Sequence, residues 1–191
     1  PAPMIFCFQW RSITRQVRAF QGLMVNSDGV RYINEDNVIS HGGLSLMHEK
    51  GHHAYAIWDT AYASEPQWQN HRYVDGPKVF ENEQEVIQYW DEIVASSGTI
   101  EMNGSGSIDV KMVKADTIEE LGEKLGLTDV AAFAKTVARY NELCDLGKDL
   151  DFGKRPEVMG KVQDPPFYAG KLVASLLTMC GGLRQNLDCQ V

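Results

Sequence analysis

Two apolar runs, Leu23–Asn26 and Val30–Ile33, are separated by Ser27, Asp28 and Gly29. Turn residues between two short apolar runs predict a β-hairpin. A short helix over Ser40–Glu49 and a strand over Ala54–Trp58 follow, and then residues 60–81 lose any period, which predicts a loop or irregular insertion. Asn82 with Glu85 forms a capping-box start, after which Val86, Ile87, Trp90, Ile93 and Val94 share one helical face ahead of a stop at Gly98.

The stretch from Asn103 to Ala115 is turn-rich and then strand-like over Val110–Val113. Thr117 and Glu120 make a second capping box, followed by Ile118, Leu121 and Leu125 at helical spacing and by Gly126 as the stop. A further helix is expected to start at Thr128, with Val130, Phe133, Val137, Tyr140 and Cys144 on its apolar face and Gly147 closing it. Leu172–Leu177 is apolar enough for a strand buried on both faces, and Gly181-Gly182 removes two Cβ atoms where the backbone turns. The first twenty residues open as a short apolar strand and then lose their period. Strands and helices come in runs rather than in strict alternation, which predicts an α+β fold with helices packed on a mixed sheet.

At 191 residues and 43% hydrophobic, the chain can bury one sizeable core. A net charge of −8 excludes a nucleic-acid partner, because neutralising phosphates needs a basic footprint. Arg11, Arg15 and Arg18 read as a solvated helical face. No apolar stretch approaches the roughly 20 residues needed for a membrane span. The first residues lack a signal-peptide pattern, which leaves cytoplasmic and exported locations both open. The four cysteines, Cys7, Cys144, Cys180 and Cys189, have no C-x-x-C spacing and read as buried free thiols, with Cys180 placed beside the glycine pair.

Four segments carry a resemblance: GLMVNSDGVRYINED at Gly22–Asp36, ADTIEELGEKLGL at Ala115–Leu127, TVARYNELCDLGKDLDFGK at Thr136–Lys154, and PPFYAGKLVASLLTMCGGLRQNLDCQV from Pro165 to Val191. In this order they resemble the flavoprotein family of fumarate reductases, urocanate reductases and 3-ketosteroid dehydrogenases. The resemblance implies the substrate-capping domain of such an enzyme, with two connections back to an FAD-binding domain. The dinucleotide fingerprint G-x-G-x-x-G is absent from the chain. The expectation is therefore a cap-domain fragment: residues 1–21 a remnant of one connection, 22–164 the capping domain, and 165–191 the segment returning toward the missing FAD-binding domain. FAD belongs to the full-length parent, and none is expected on this fragment. The expected partners are a small-molecule substrate, the missing domain of the same polypeptide, and a second copy through the cut face.

Candidate site residues follow from the same comparison. The segment containing Arg31, Asn34 and Glu35 is implied to lie at the junction of cap and flavin domain, where Arg31 either contacts substrate or fixes a turn with Glu35. Fumarate-reducing members carry a proton-delivering Arg shortly after this segment, whereas here the stretch is Asp36-Asn37-Val38-Ile39-Ser40. They also place a His just ahead of the glycine pair to hold a carboxylate, and here Thr178-Met179-Cys180 stands instead. A hydroxyl suits a neutral oxygen better than a dicarboxylate, so Thr178 is the candidate substrate-facing side chain and fumarate an improbable substrate. His71 and Arg72, in the irregular loop, are candidates to reach over the pocket toward a carboxylate. Gly181 and Gly182 are the candidate contacts to the flavin. Tyr168 reads as core.

Two readings from other classes compete with this one. The first is a non-catalytic binding domain derived from such a cap. The second is a zinc-dependent hydrolase built on HEKGH at His48–His52, since two His at i and i+4 of a helix with a Glu between them form the zincin pattern. Gly51 weakens a helix there and the strand begins directly behind it, so a polar helix end is expected and no metal.

Overall fold

The computed structural model describes residues 4–5, 20–37, 44–64, 80–95, 98–102, 106–110 and 112–175; of these, 4–5, 98–102, 106–110 and 174–175 are described by their backbone alone. Seven strands are present among them: β1 (Met4–Ile5), β2 (Leu23–Asn26), β3 (His53–Trp58), β4 (Gly98–Met102), β5 (Gly106–Val110), β6 (Met112–Ala115) and β7 (Phe167–Ser175). The long helices are α1 (Glu83–Ala95), α2 (Ile118–Leu125) and α3 (Val130–Leu146). The architecture is α+β with helices packed on the main sheet, but every described strand pair is antiparallel, where a mixed sheet was expected.

β7 organises that sheet. One of its edges pairs with β3, from Trp58↔Tyr168 to His53↔Val173. The other edge takes β6 along Phe167–Gly170 and then β1 at Ala174 and Ser175. β2 completes the sheet on the far edge of β3. Because side chains alternate across a strand, the register sorts residues into two cores. Met24, Ala54, Ala56, Trp58, Met112, Tyr168 and Leu172 face one; Leu23, Val25, Tyr55, Ile57, Ala115, Phe167 and Ala169 face the other. Both faces of β3 and of β7 over Phe167–Gly170 are buried, whereas of the run Leu172–Leu177, expected to be buried on both faces, only Leu172 and Val173 have described side chains.

The first core is aromatic. Trp58 stacks on Tyr168 at 5.9 Å with rings 12° apart, and Phe20, Tyr62 and Trp90 pack around them, edge-on or stacked. Val86 and Trp90 of α1 close it. The second core is aliphatic and covered by Leu121 and Leu125 of α2 and by Phe133, Val137 and Tyr140 of α3. Gly29, at φ 77°, lets the 26–30 turn press against Phe133, where a Cβ would meet the Phe133 Cβ at 2.7 Å.

The caps are where the pattern puts them. Thr117 accepts from Glu120 N–H, Asn82 accepts from Glu85 N–H, and Gly126 and Gly147 close α2 and α3 in the left-handed conformation. Three further expectations are corrected. The α3 cap is Asp129, which accepts from Ala132 N–H at 2.9 Å, because Thr128 is drawn off to donate its N–H to Ser27 O. The hairpin has its turn but no second strand: after a single bridge from Val25 to Arg31 the chain leaves into a 3-10 turn at Glu35–Asn37. The Glu35 carboxylate replaces that strand, accepting Met24 N–H on the free edge of β2 at 3.0 Å. Last, α1 stops at Ala95, and Gly98 opens a two-stranded hairpin, β4 with β5, where a helix stop and a turn-rich stretch were expected.

Candidate functional site

Arg31 is buried, 7% exposed, and its guanidinium is divided between two carboxylates. Nε and Nη2 donate to Glu35 at 2.8 and 2.7 Å, and Nη1 and Nη2 donate to Asp149 at 3.1 and 2.8 Å. The rings of Tyr140 and Phe152 lie 5.0 and 4.9 Å from its Cζ. Such forked pairing uses the planar guanidinium in a way an ammonium cannot. Burial works against the charge, yet the hydrogen bonds and proximity of Glu35 and Asp149 raise the Arg31 pKa above its ordinary value. Asp149 is desolvated, yet the Arg31 bonds and three backbone N–H donors hold its pKa down at about 2.

The loop that carries Asp149 also delivers Lys154. Lys154 is fully enclosed, and its ammonium donates to Gly22 O at 2.7 Å, Tyr140 Oη at 2.8 Å and Gln21 O at 3.1 Å, with Glu35 Oε2 at 3.5 Å. Gly22 has no Cβ because one would lie 2.1 Å from Ile57 O. At the rim, Asn34 donates to Phe152 O at 3.0 Å and Arg155 forks onto the Asp36 carboxylate. This Arg155 pair lowers the Asp36 pKa. Two segments far apart in sequence, 20–36 and 140–155, are thus joined by a neutral set of two buried cations and two buried carboxylates.

Of the residues singled out from sequence, Arg31, Asn34 and Glu35 are brought together in this cluster. Thr178, His71, Arg72, Gly181 and Gly182 lie outside the described residues. Asp149, Lys154 and Arg155 were missed, since a charge-rich stretch such as Lys148–Arg155 carries no period and reads as solvated loop. Tyr168 lies in the aromatic core and donates its hydroxyl to Asp91 Oδ1 at 2.8 Å, beside Lys114.

HEKGH does not lie on one helix. A single helical turn spans 44–48, Gly51 and His52 have φ of 73° and 53°, and β3 starts at His53. The His52 ring packs back on Met47 O at 2.9 Å, and Glu49 accepts from Asn26 Nδ2 at 2.8 Å. Among the described residues no group of three or more His, Cys, Asp or Glu side chains is placed to hold a metal ion. No described helix is long and apolar enough to cross a membrane.

A family model described as FAD binding domain matches residues 7–191. The chain is 40% identical over 78 residues to the vinyl phenol reductase of Lactiplantibacillus plantarum, covering 41% of this chain and 16% of that protein. It is 27% identical over 179 residues to a probable fumarate reductase of Shewanella frigidimarina, covering 94% of this chain and 24% of that protein. The chain therefore spans a quarter or less of these relatives. The solution structure of a fumarate reductase flavoprotein subunit from Lactobacillus plantarum shares the fold, with a TM-score of 0.57 and 21% identity over 85% of this chain and 88% of that one.

Proposed function

We propose that this chain, which belongs to the FAD binding domain family of flavoprotein oxidoreductases, forms the substrate-capping lobe of an FAD-dependent enzyme acting on an activated C=C or CH–CH bond. One observation carries the reading: Met4 and Ile5 pair antiparallel with Ser175 and Ala174. Both connections of the lobe then run side by side, as an insertion into a larger flavoprotein requires. In this division residues 1–21 and 165–191 are the connections, the second running along β7, and 22–164 make up the lobe.

The described residues contain no glycine-rich strand–turn–helix unit that could cradle a pyrophosphate, so the dinucleotide is assigned to the rest of the polypeptide. When bound there, FAD supplies the hydride chemistry. This chain's part is to enclose and orient: Gly181-Gly182 are assigned to the flavin contact, Thr178 to a hydrogen bond with a neutral substrate oxygen, and His71 and Arg72 to a substrate carboxylate. Arg31, held by Glu35 and Asp149, sets the position of the segment leading to Asp36. With no Arg in Asp36–Ser40 and no His before the glycine pair, the substrate is a neutral or mono-anionic enone or enoate rather than fumarate.

The test is steady-state turnover by the full-length enzyme with a reduced electron donor. A neutral enone or mono-anionic enoate should exceed fumarate in kcat/KM by at least about tenfold, the discrimination expected where charged partners are missing. Equal or faster fumarate turnover would overturn the substrate assignment. The chain alone should be colourless and self-associate through the surface it would present to the flavin domain, which light scattering and a flavin absorbance scan check together.

A further inference from the structure

The three ammonium protons of Lys154 meet three acceptors: Gly22 O, Tyr140 Oη and Gln21 O. The Gln21 carbonyl is crowded, for it also accepts from the Tyr140 hydroxyl at 2.6 Å and from Gly160 N–H at 3.1 Å. Around Lys154 stand Glu35 and Arg31 from the 31–35 segment and Tyr140 and Cys144 from α3, with Asp149 joined to them through Arg31. Two cations balance two carboxylates only while Lys154 keeps its proton. Burial, foremost, lowers its pKa to about 8, with Arg31 adding repulsion and Glu35 opposing.

Loss of that proton to solvent leaves Nζ with two N–H donors and one lone pair. Tyr140 Oη, at 2.8 Å, is the hydroxyl that can donate into the lone pair, and it does so by turning away from Gln21 O. No covalent bond other than the N–H changes. We propose that Lys154 is a proton-operated latch: as an ammonium it clamps Gln21–Gly22 to α3 with Tyr140 locked on Gln21, and as an amine it takes the Tyr140 hydroxyl and slackens that clamp. Its bearing on catalysis rests on the capping-lobe reading, in which the segment ahead of Gly22 is a connection to the flavin domain.

The experiment is a pH titration of this chain by NMR, with 13C at lysine Cε and tyrosine Cζ and with Lys154→Arg for assignment. The Lys154 Cε signal is expected to titrate near pH 8, against ~10.4 for an exposed lysine, and the Tyr140 Cζ signal to move with the same midpoint. In Lys154→Arg the Tyr140 signal should stay flat through that range. A Lys154 signal unchanged past pH 10, or one that titrates without Tyr140 following, overturns the latch. Neither readout depends on flavin or turnover, so failure of the latch is distinguishable from failure of the proposed activity. The wild-type titration decides the matter even if the variant does not fold.

Discussion

On the side of the sheet covered by α2 and α3, the charges that enter the interior are matched: Arg31, Glu35, Asp149 and Lys154 share hydrogen bonds among themselves and with backbone. On the side covered by α1, the interior is a pile of rings, and the polar tips Tyr32 Oη and Trp58 Nε1 have no hydrogen-bond partner among the described residues. The first side gains definition from geometry, since forked pairs and a triple ammonium contact tolerate little displacement. The second side relies on ring packing, which is less exacting in direction. Removing the Arg31 guanidinium from the first side should therefore be costly, and removing the Tyr32 hydroxyl from the second nearly free.

The largest expected effect is that of Arg31→Met, which strands Glu35 and Asp149 without their cation. Breaking a buried pair in this way costs about 3–5 kcal/mol, read as a lower urea midpoint. A loss under ~1 kcal/mol would show that the cluster is not a source of order. Next is the pH dependence of stability. The folded pKa of Lys154 lies below its ordinary value, so between about pH 8 and 10.5 the unfolded chain holds a proton that the folded chain has lost, and stability rises with pH across that window. Lys154→Met should be flat there by chemical denaturation, and a parallel rise in both proteins would remove Lys154 as the cause. The gain comes from relief of a buried charge and is compatible with local slackening at Gln21.

Thr117→Ala should cost about 1 kcal/mol through loss of the α2 cap, a comparison value for an exposed polar group outside both cores. Tyr32→Phe deletes a buried hydroxyl that has no partner among the described residues, so stability should stay level or rise by up to about 1 kcal/mol. A clear loss would mean that the hydroxyl is bonded after all and the contrast between faces is smaller. His48→Ala and His52→Ala should each shift stability by under about 0.5 kcal/mol and leave metal content at zero by plasma mass spectrometry. Stoichiometric zinc lost in either variant would revive the metal reading.

Much of the fold was legible where physics is local. Capping boxes at Asn82 and Thr117 and the closing glycines at Gly126 and Gly147 depend on neighbours within a turn, and they place α1, α2 and α3. The apolar run at Leu172 was legible as strand, though that strand begins at Phe167 and, of Leu172–Leu177, only Leu172 and Val173 have described side chains. What failed was decided at long range. Val30–Ile33 has strand composition, but Arg31 is pulled inward by Asp149, more than a hundred residues on, and Glu35 takes the free edge of β2. Lys154 gave no signal at all, because a lysine after a glycine in a charged stretch is ordinarily exposed. Arg31 and Glu35 were visible through the family resemblance alone; their composition said only that a turn was near.

The placement of β7 at the centre of the sheet sets an order of events during synthesis. β3 emerges with β2 close at hand, but the partner for its other edge, β7, follows more than a hundred residues later, and β6 waits for the same strand. At ribosomal speeds of about 5–20 residues per second, that edge stays open for on the order of ten seconds, flanked by Tyr55, Ile57 and Trp58. A nascent chain of this design is thus a pairing template until its last described strand arrives. Its yield in a cell should depend on the pace of translation and on chaperones that cover open sheet edges, more than on the stability of the finished fold.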